Sequence, residues 1–181
     1  HIMRRRQRQM CIRDRLESEQ KGETKIAMVG KYTELVDSYK SVNEALIHAG
    51  IHNKTNVKIE HIDSERFNKG VENLEADGIL IPGGFGNRGV KGMLNVAKFA
   101  REKKVPFFGI CLGMQMAVVE AARNLAKIEN ASSEEFHYPY SKDKKEIVPI
   151  IFHLEKWLDQ GKIITRKFTD YKGGTMRLGS Y

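Results

Sequence analysis

The chain has 181 residues, 40% of them hydrophobic and 30% charged, which suits one globular domain with a sizeable core. No apolar run approaches a membrane span and no secretory leader is visible, so neither a membrane-embedded nor an exported class is expected. The net charge of +8 is uneven: His1 to Arg15 hold six arginines against Asp14, and without them the balance falls to +3. That basic cluster sits in a segment opening with His1-Ile2-Met3, which resembles a cloning scar, and it carries no apolar periodicity. Residues 1–22 are therefore expected to be a disordered leader or linker and residues 23–181 the folded domain, with neither nucleic acid nor membrane as partner. Two cysteines, Cys11 and Cys111, give no disulfide framework and no metal-ligand spacing; no metal is expected, and the expected setting is the reducing cytoplasm.

From Thr24 the pattern becomes regular. Lys25 to Gly30 is a short apolar run ending in glycine, as a buried parallel strand should. Ser38 is placed to cap a helix whose apolar positions Val42, Ala45, Leu46 and Ala49 share one face, and Gly50 is placed to end it. Val57 to Ile62 alternates as a second strand. Gly78-Ile79-Leu80-Ile81 is uniformly apolar and predicts a central strand. A helix is predicted from about Val90 to Lys103, then a strand from Val105 to Ile110, where Pro106 is tolerable at the strand's start. A further helix runs to about Lys127. Ser132 to Lys145 reads as a polar surface loop and Ile147 to Leu154 as a strand; Gly173 to Gly179 closes the chain as a glycine-flanked loop or strand. Strands alternating with helices predict an α/β fold, doubly wound, with a flavodoxin-like, mostly parallel sheet and helices on both faces. Ligands of such sheets sit beyond the carboxyl ends of the strands, where both Gly83-Gly84-Phe85-Gly86 and the turn around Cys111 fall.

That second turn, Gly109-Ile110-Cys111-Leu112-Gly113, is the cysteine form of the nucleophile elbow. A strand enters, the chain turns sharply, and a helix leaves; the glycines remove side chains that would clash, and Cys111 projects from the tip. Backbone N–H groups and the dipole at the helix N-terminus favour a thiolate there, and the same groups can accept the charge of a tetrahedral oxyanion. The pattern therefore points to acyl transfer through a thioester.

The elbow and the Pro82-Gly83-Gly84-Phe85-Gly86 turn together resemble the class I glutamine amidotransferases. Four stretches resemble, within that class, the glutaminase domain of the CTP synthase family: Val29 to Thr33 with Asp37 to Val42, Pro82 to Gly86 with Arg88-Gly89, Gly109 to Gln115, and Gly173 to Gly179. The resemblance implies that Cys111 is the nucleophile and that backbone N–H groups near Gly83 or Gly84 and at Leu112 form the oxyanion hole. It also implies that Gly84 and Phe85 line the glutamine site and that Gln115 and Glu135 hold the substrate's α-amino and α-carboxylate ends. Glutamine carries both charges, so its site needs a carboxylate for the ammonium. Gln115, one helical turn beyond Cys111, shares its face.

The resemblance further implies that the whole enzyme makes CTP from UTP, ATP and glutamine with Mg2+, with GTP as an activator near Phe85 to Arg88. No cofactor is implied for this domain itself. The implied partners are a synthetase domain, not contained in these residues, that receives the ammonia, and further subunits of a tetramer. One departure stands out. The family's triad histidine and glutamate, and a binding arginine, follow well after the Gly173 to Gly179 stretch, past Tyr181. The expected domain is thus incomplete at its C-terminus, and the chain alone is expected to be inactive. His61 with Asp63 and His153 with Glu155 have the spacing of the missing pair, but each falls in a strand-like run outside the family's catalytic position. The other readings of these residues are a different class I amidotransferase or cysteine hydrolase, and a non-catalytic interaction module.

Overall fold

The computed structural model describes residues 21–33, 37–136, 147–152, 156–159 and 162–165. The chain divides into two compact units, residues 1–130 and 131–181. The first is built on a four-stranded parallel sheet of β1 (Gly22–Gly30), β2 (Thr55–Asp63), β3 (Gly78–Ile81) and β4 (Phe107–Gly109), in the order β2-β1-β3-β4. Its helices are α1 (Lys40–His52), α2 (Val90–Lys103) and α3 (Leu112–Asn124), with a 3-10 helix at Ser64–Phe67. The expected doubly wound α/β arrangement is present, and the chain switches direction across the sheet between β1 and β3.

β3 is central, as its four apolar residues predict, and all four are buried. Residues of opposite parity supply the two cores. Met28 and Leu80 pack with Tyr39, joined by Ile26, Val42, Leu46 and Ile59, under α1. Ala27, Val29, Ile79 and Ile81 are equally buried, as are Met93, Val96 and Ala100 of α2 and Leu112, Met116 and Val119 of α3. α2 and α3 pack on each other.

Several boundaries differ from the sequence expectation, each for a tertiary reason. β1 starts at Gly22, because pairing with β2 runs from Gly22–Thr55 to Gly30–Asp63, and the Lys21 N–H bonds the Lys54 carbonyl at 2.9 Å. β1 thus includes Gly22, just before the expected boundary at residue 23; residues 1–20 lie outside the described ones. Ser38 does not cap α1. Tyr39 takes the N-cap position, and its hydroxyl accepts from the backbone N–H of Lys31 (3.1 Å) and Tyr32 (3.2 Å), tying the helix start to the end of β1. Gly50 lies inside α1, where a Cβ would sit 2.6 Å from Val57 Cγ2 and 2.7 Å from the Thr55 carbonyl oxygen. The helix ends instead at Asn53 and Lys54, the latter left-handed at φ 56°. β4 and α3 are also shorter than expected at their ends.

In the second unit, β5 (Ala131–Ser133) pairs in parallel with β6 (Val148–Ile151), a 3-10 helix covers Glu134–Phe136, and β7 (Lys156–Asp159) pairs antiparallel with β8 (Lys162–Thr165). The start of the expected surface loop is therefore corrected: Ser132 and Ser133 are buried because their strand pairs with the apolar run that follows. Glu134–Phe136 continue as the 3-10 helix, while residues 137–145 of that loop, and the Gly173 to Gly179 stretch, lie outside the described residues.

One buried ion pair joins α2 to α3. Glu120 is 5% exposed, and Arg101 grips its carboxylate with Nε (3.0 and 3.1 Å) and Nη2 (2.8 Å), while Asn124 Nδ2 adds a bond at 3.0 Å. Removing the guanidinium leaves a buried carboxylate short of its main partner. Arg101→Met should lower stability by about 2–3 kcal/mol in urea unfolding. Adding Glu120→Leu should restore most of it, since the double variant no longer buries an unpaired charge. Equal stability of Arg101→Met and the unaltered chain would contradict this reading.

Candidate functional site

The strand–turn–helix context predicted around Cys111 is present: β4 enters, Cys111 turns the chain, and α3 leaves from Leu112. Cys111 has φ 52° and ψ −107°, a left-handed backbone that costs a non-glycine residue about 1–3 kcal/mol. Its neighbours explain why it accepts that cost. A Cβ at Gly109 would lie 2.5 Å from both the Gly113 carbonyl carbon and the Met114 nitrogen, and one at Gly113 would lie 2.0 Å from the Ile81 carbonyl oxygen. Both glycines are therefore required by close backbone approach. The turn is held by Ile110 N–H on the Ile81 carbonyl and Gly113 N–H on the Ile110 carbonyl, each 2.9 Å. Cys111 is left exposed at the tip.

The first turn of α3 supplies N–H groups with no intrahelical acceptor, that of Leu112 among them. The Leu112 side chain is buried, which fixes its peptide beside the thiol. The turn after β3 comes alongside. A Cβ built at Gly83 would be 3.5 Å from Cys111 Cβ, and one at Gly84 would be 3.4 Å from Leu112 Cδ2. So the structure brings together Cys111, Leu112, Gly83 and Gly84. Phe85, next in the turn, is 61% exposed. Gln115 lies one helical turn beyond Cys111, and its Oε1 is buried with no hydrogen-bond partner among the described residues. Glu135 belongs to the second unit, on the 3-10 helix after β5, where its N–H bonds Ser133 Oγ at 3.3 Å.

The two imitation dyads separate on position. His61 is in β2, three strand spacings from β4, or about 14 Å. Its ring stacks on Tyr39 at a centroid distance of 6.2 Å, and Asp63 instead caps the 3-10 helix through the Glu65 N–H and pairs with Arg88. His61 is thus a strand-end residue, as its place in the pattern suggests. His153 and Glu155 lie outside the described residues.

Lys31 and Tyr39 fall inside motif stretches without an expected role of their own, and Arg88 only at the edge of the span near which the resemblance implies an activator. Lys31 and Arg88 meet at the turn 83–88, and the Tyr39 hydroxyl accepts from the Lys31 backbone N–H. Lys31 Nζ donates to the carbonyls of Phe85 (3.0 Å) and Gly86, and Arg88 Nη2 donates to the Lys31 carbonyl. Arg88 Nη1 reaches Asp63 Oδ2 and Glu65 Oε2, each at 3.2 Å, and the Glu65 carboxylate first, then Asp63, holds the guanidinium pKa above its ordinary value. The available signal was a lysine directly after an apolar strand, a position where charge survives only if met by fixed acceptors.

Among the described residues no helix is long and apolar enough to cross a membrane. The chain is 51% identical over 172 residues to the CTP synthase of Paracoccus denitrificans (strain Pd 1222), covering 94% of this chain and 31% of that protein. It is 50% identical over 163 residues to the CTP synthase of Roseobacter denitrificans (strain ATCC 33942 / OCh 114), covering 88% and 29%. The chain thus spans about a third of the length of these curated relatives. Its structure is similar to the glutaminase domain of Trypanosoma brucei CTPS with bound acivicin, with TM-score 0.57 and 41% identity over 63% of this chain and 46% of that one. Residues 34–181 match the family Glutamine amidotransferase class-I. With the elbow, the adjoining glycine turn and most of its length so matched, the chain belongs to the class-I glutamine amidotransferase family.

Proposed function

We propose that this chain is the glutaminase portion of a CTP synthase, and that it releases ammonia from glutamine through a thioester on Cys111. The observation that carries this reading is the strained, exposed cysteine at a helix start, with Gly83 and Gly84 alongside. In the proposed reaction Cys111 Sγ attacks the side-chain amide carbon of glutamine. A C–S bond forms, and the C=O π pair moves to oxygen, where N–H groups of Leu112 and of Gly83 or Gly84 accept the charge. Collapse of this intermediate breaks the C–N bond, and the protonated nitrogen departs as ammonia. Water then cleaves the γ-glutamyl thioester to glutamate.

In this reading the unpartnered Oε1 of Gln115 is an acceptor awaiting the α-ammonium group, and Glu135 supplies the carboxylate that a zwitterionic substrate requires. The exposed ring of Phe85 closes over the aliphatic part of the substrate. The ammonia is consumed by a synthetase portion carried by the longer relatives, which converts UTP to CTP with ATP and Mg2+ and takes GTP as activator. The working enzyme is a cytoplasmic tetramer in this reading. Among the 181 residues no histidine matches the family's general base. A helix N-terminus favours the attacking thiolate, but activation of water against the thioester needs the base a second time.

Three outcomes test this. Iodoacetamide in limiting amount at mildly acidic pH should alkylate Cys111 faster than Cys11, read by peptide mass spectrometry, with equal rates counting against an activated elbow. A diazo-ketone analogue of glutamine should label Cys111 in competition with glutamine, while the 181-residue chain alone turns glutamine over at close to the uncatalysed rate. Gln115→Leu should weaken that competition about tenfold, the equivalent of one charge-assisted hydrogen bond. Turnover at the rate of an intact amidotransferase, lost in His153→Ala, would instead make His153 and Glu155 the working pair.

A further inference from the structure

We infer that Lys31 is a positioning residue that holds the oxyanion-binding turn in register with Cys111, an inference that rests on the glutaminase reading of that turn. Lys31 is the first residue after β1, at the switch point between β1 and β3, where doubly wound folds commonly seat a ligand. Here a side chain of the protein occupies part of that crevice. Lys31 is 3% exposed, and an ammonium so far from water is tolerated only when fixed acceptors replace its hydration. Those acceptors include the carbonyls of Phe85 and Gly86, the two residues that directly follow Gly84.

The lysine stem acts as well as its charge. A Cβ at Gly84 would lie 3.4 Å from Lys31 Cδ on one side and 3.4 Å from Leu112 Cδ2 on the other. Gly84 is thus wedged between the stem of Lys31 and the first residue of α3, whose N–H is the other proposed oxyanion donor. At the far end of the turn, Arg88 returns the contact by donating to the Lys31 carbonyl, while Asp63 and Glu65 hold its guanidinium. The segment from Gly83 to Arg88 is therefore fastened to the ends of β1 and β2 by two reciprocal cationic clasps. An oxyanion hole works only if its donors are fixed before the charge develops, and this clasp supplies that fixation.

The test uses the γ-aldehyde analogue of glutamine on the full chain. Cys111 sulfur adds to the aldehyde carbon; the π pair moves to oxygen, which takes up the thiol proton, and nothing departs. The reversible tetrahedral adduct reads the oxyanion donors directly. Lys31→Met, of similar length and without donors, should weaken aldehyde binding at least tenfold. Affinity for glutamate, which forms no tetrahedral adduct, and the rate of Cys111 alkylation by iodoacetamide should each change less than twofold. Lys31→Arg, which keeps the donors, should recover most of the aldehyde affinity. Lys31→Gln, with one donor, should fall between and serves if Lys31→Met does not fold. Undiminished aldehyde affinity in folded Lys31→Met and Lys31→Gln would overturn the inference, and so would equal losses for aldehyde, glutamate and iodoacetamide, which mark a merely structural role. An unaltered chain whose Cys111 takes iodoacetamide but never the aldehyde would overturn the glutaminase reading itself, and this inference with it.

Discussion

The site depends on how closely three backbone segments approach one another at the elbow. Gly113 sits so near the Ile81 carbonyl, and Gly109 so near the Gly113–Met114 peptide, that no side chain fits at either position. α3 can therefore start directly against the end of β3, and the chain between the glycines must turn within the space of Cys111. The left-handed backbone at Cys111 is the consequence. Such strain persists only when its surroundings over-determine it. Here β4 is paired to β3 on one side, and α3 is anchored by buried Leu112, Met116 and Val119 on the other. Packing energy spread over the first unit thus maintains a local conformation that presents a thiol to solvent beside backbone N–H groups.

Charge inside the first unit follows the same logic. Glu120 and Lys31 are nearly inaccessible, and each is held by fixed partners. The Arg101–Glu120 pair fastens α2 to the helix that carries Cys111. Lys31 fastens the neighbouring turn to the end of β1. Neither interaction adds much net stability once desolvation is counted, because burying ions offsets most of their mutual attraction. Their effect is geometric: they restrict where α3 and the turn 83–88 can sit relative to the sheet. A catalytic arrangement of backbone donors gains more from that restriction than from further apolar burial.

Family membership and the local geometry agree on what this unit holds: an exposed thiol at a helix start with a glycine turn alongside. The matched CTP synthases are about three times longer than this chain. A cysteine elbow alone stands for acyl transfer in general. What narrows the reading to glutamine is the combination of that elbow with the glycine turn, the unpartnered acceptor of Gln115 and the match to amidotransferases.

Much of this was legible in the amino-acid order. Apolar runs of strand length separated by helix-period segments determine a parallel α/β sheet, because both sheet faces must be covered and parallel strands need crossovers. The all-apolar Gly78–Ile81 identified the central strand, and two glycines at fixed spacing around Cys111 identified the elbow. These signals are local, so a linear reading finds them. The start of α1 was misread because Tyr39 serves a strand end brought near only by the fold. Gly50 was misread as a terminator because its need for a missing Cβ comes from Val57 and Thr55 in the next strand. Ser132 and Ser133 looked like loop because their burial depends on pairing with β6. Lys31 drew no role of its own from the sequence, since its place directly after an apolar strand does not reveal the Phe85 and Gly86 carbonyls that hold it. Local periodicity and turn sterics are written in adjacent residues, whereas caps, close approaches and buried charges are settled by atoms distant in sequence, which only the tertiary structure brings together.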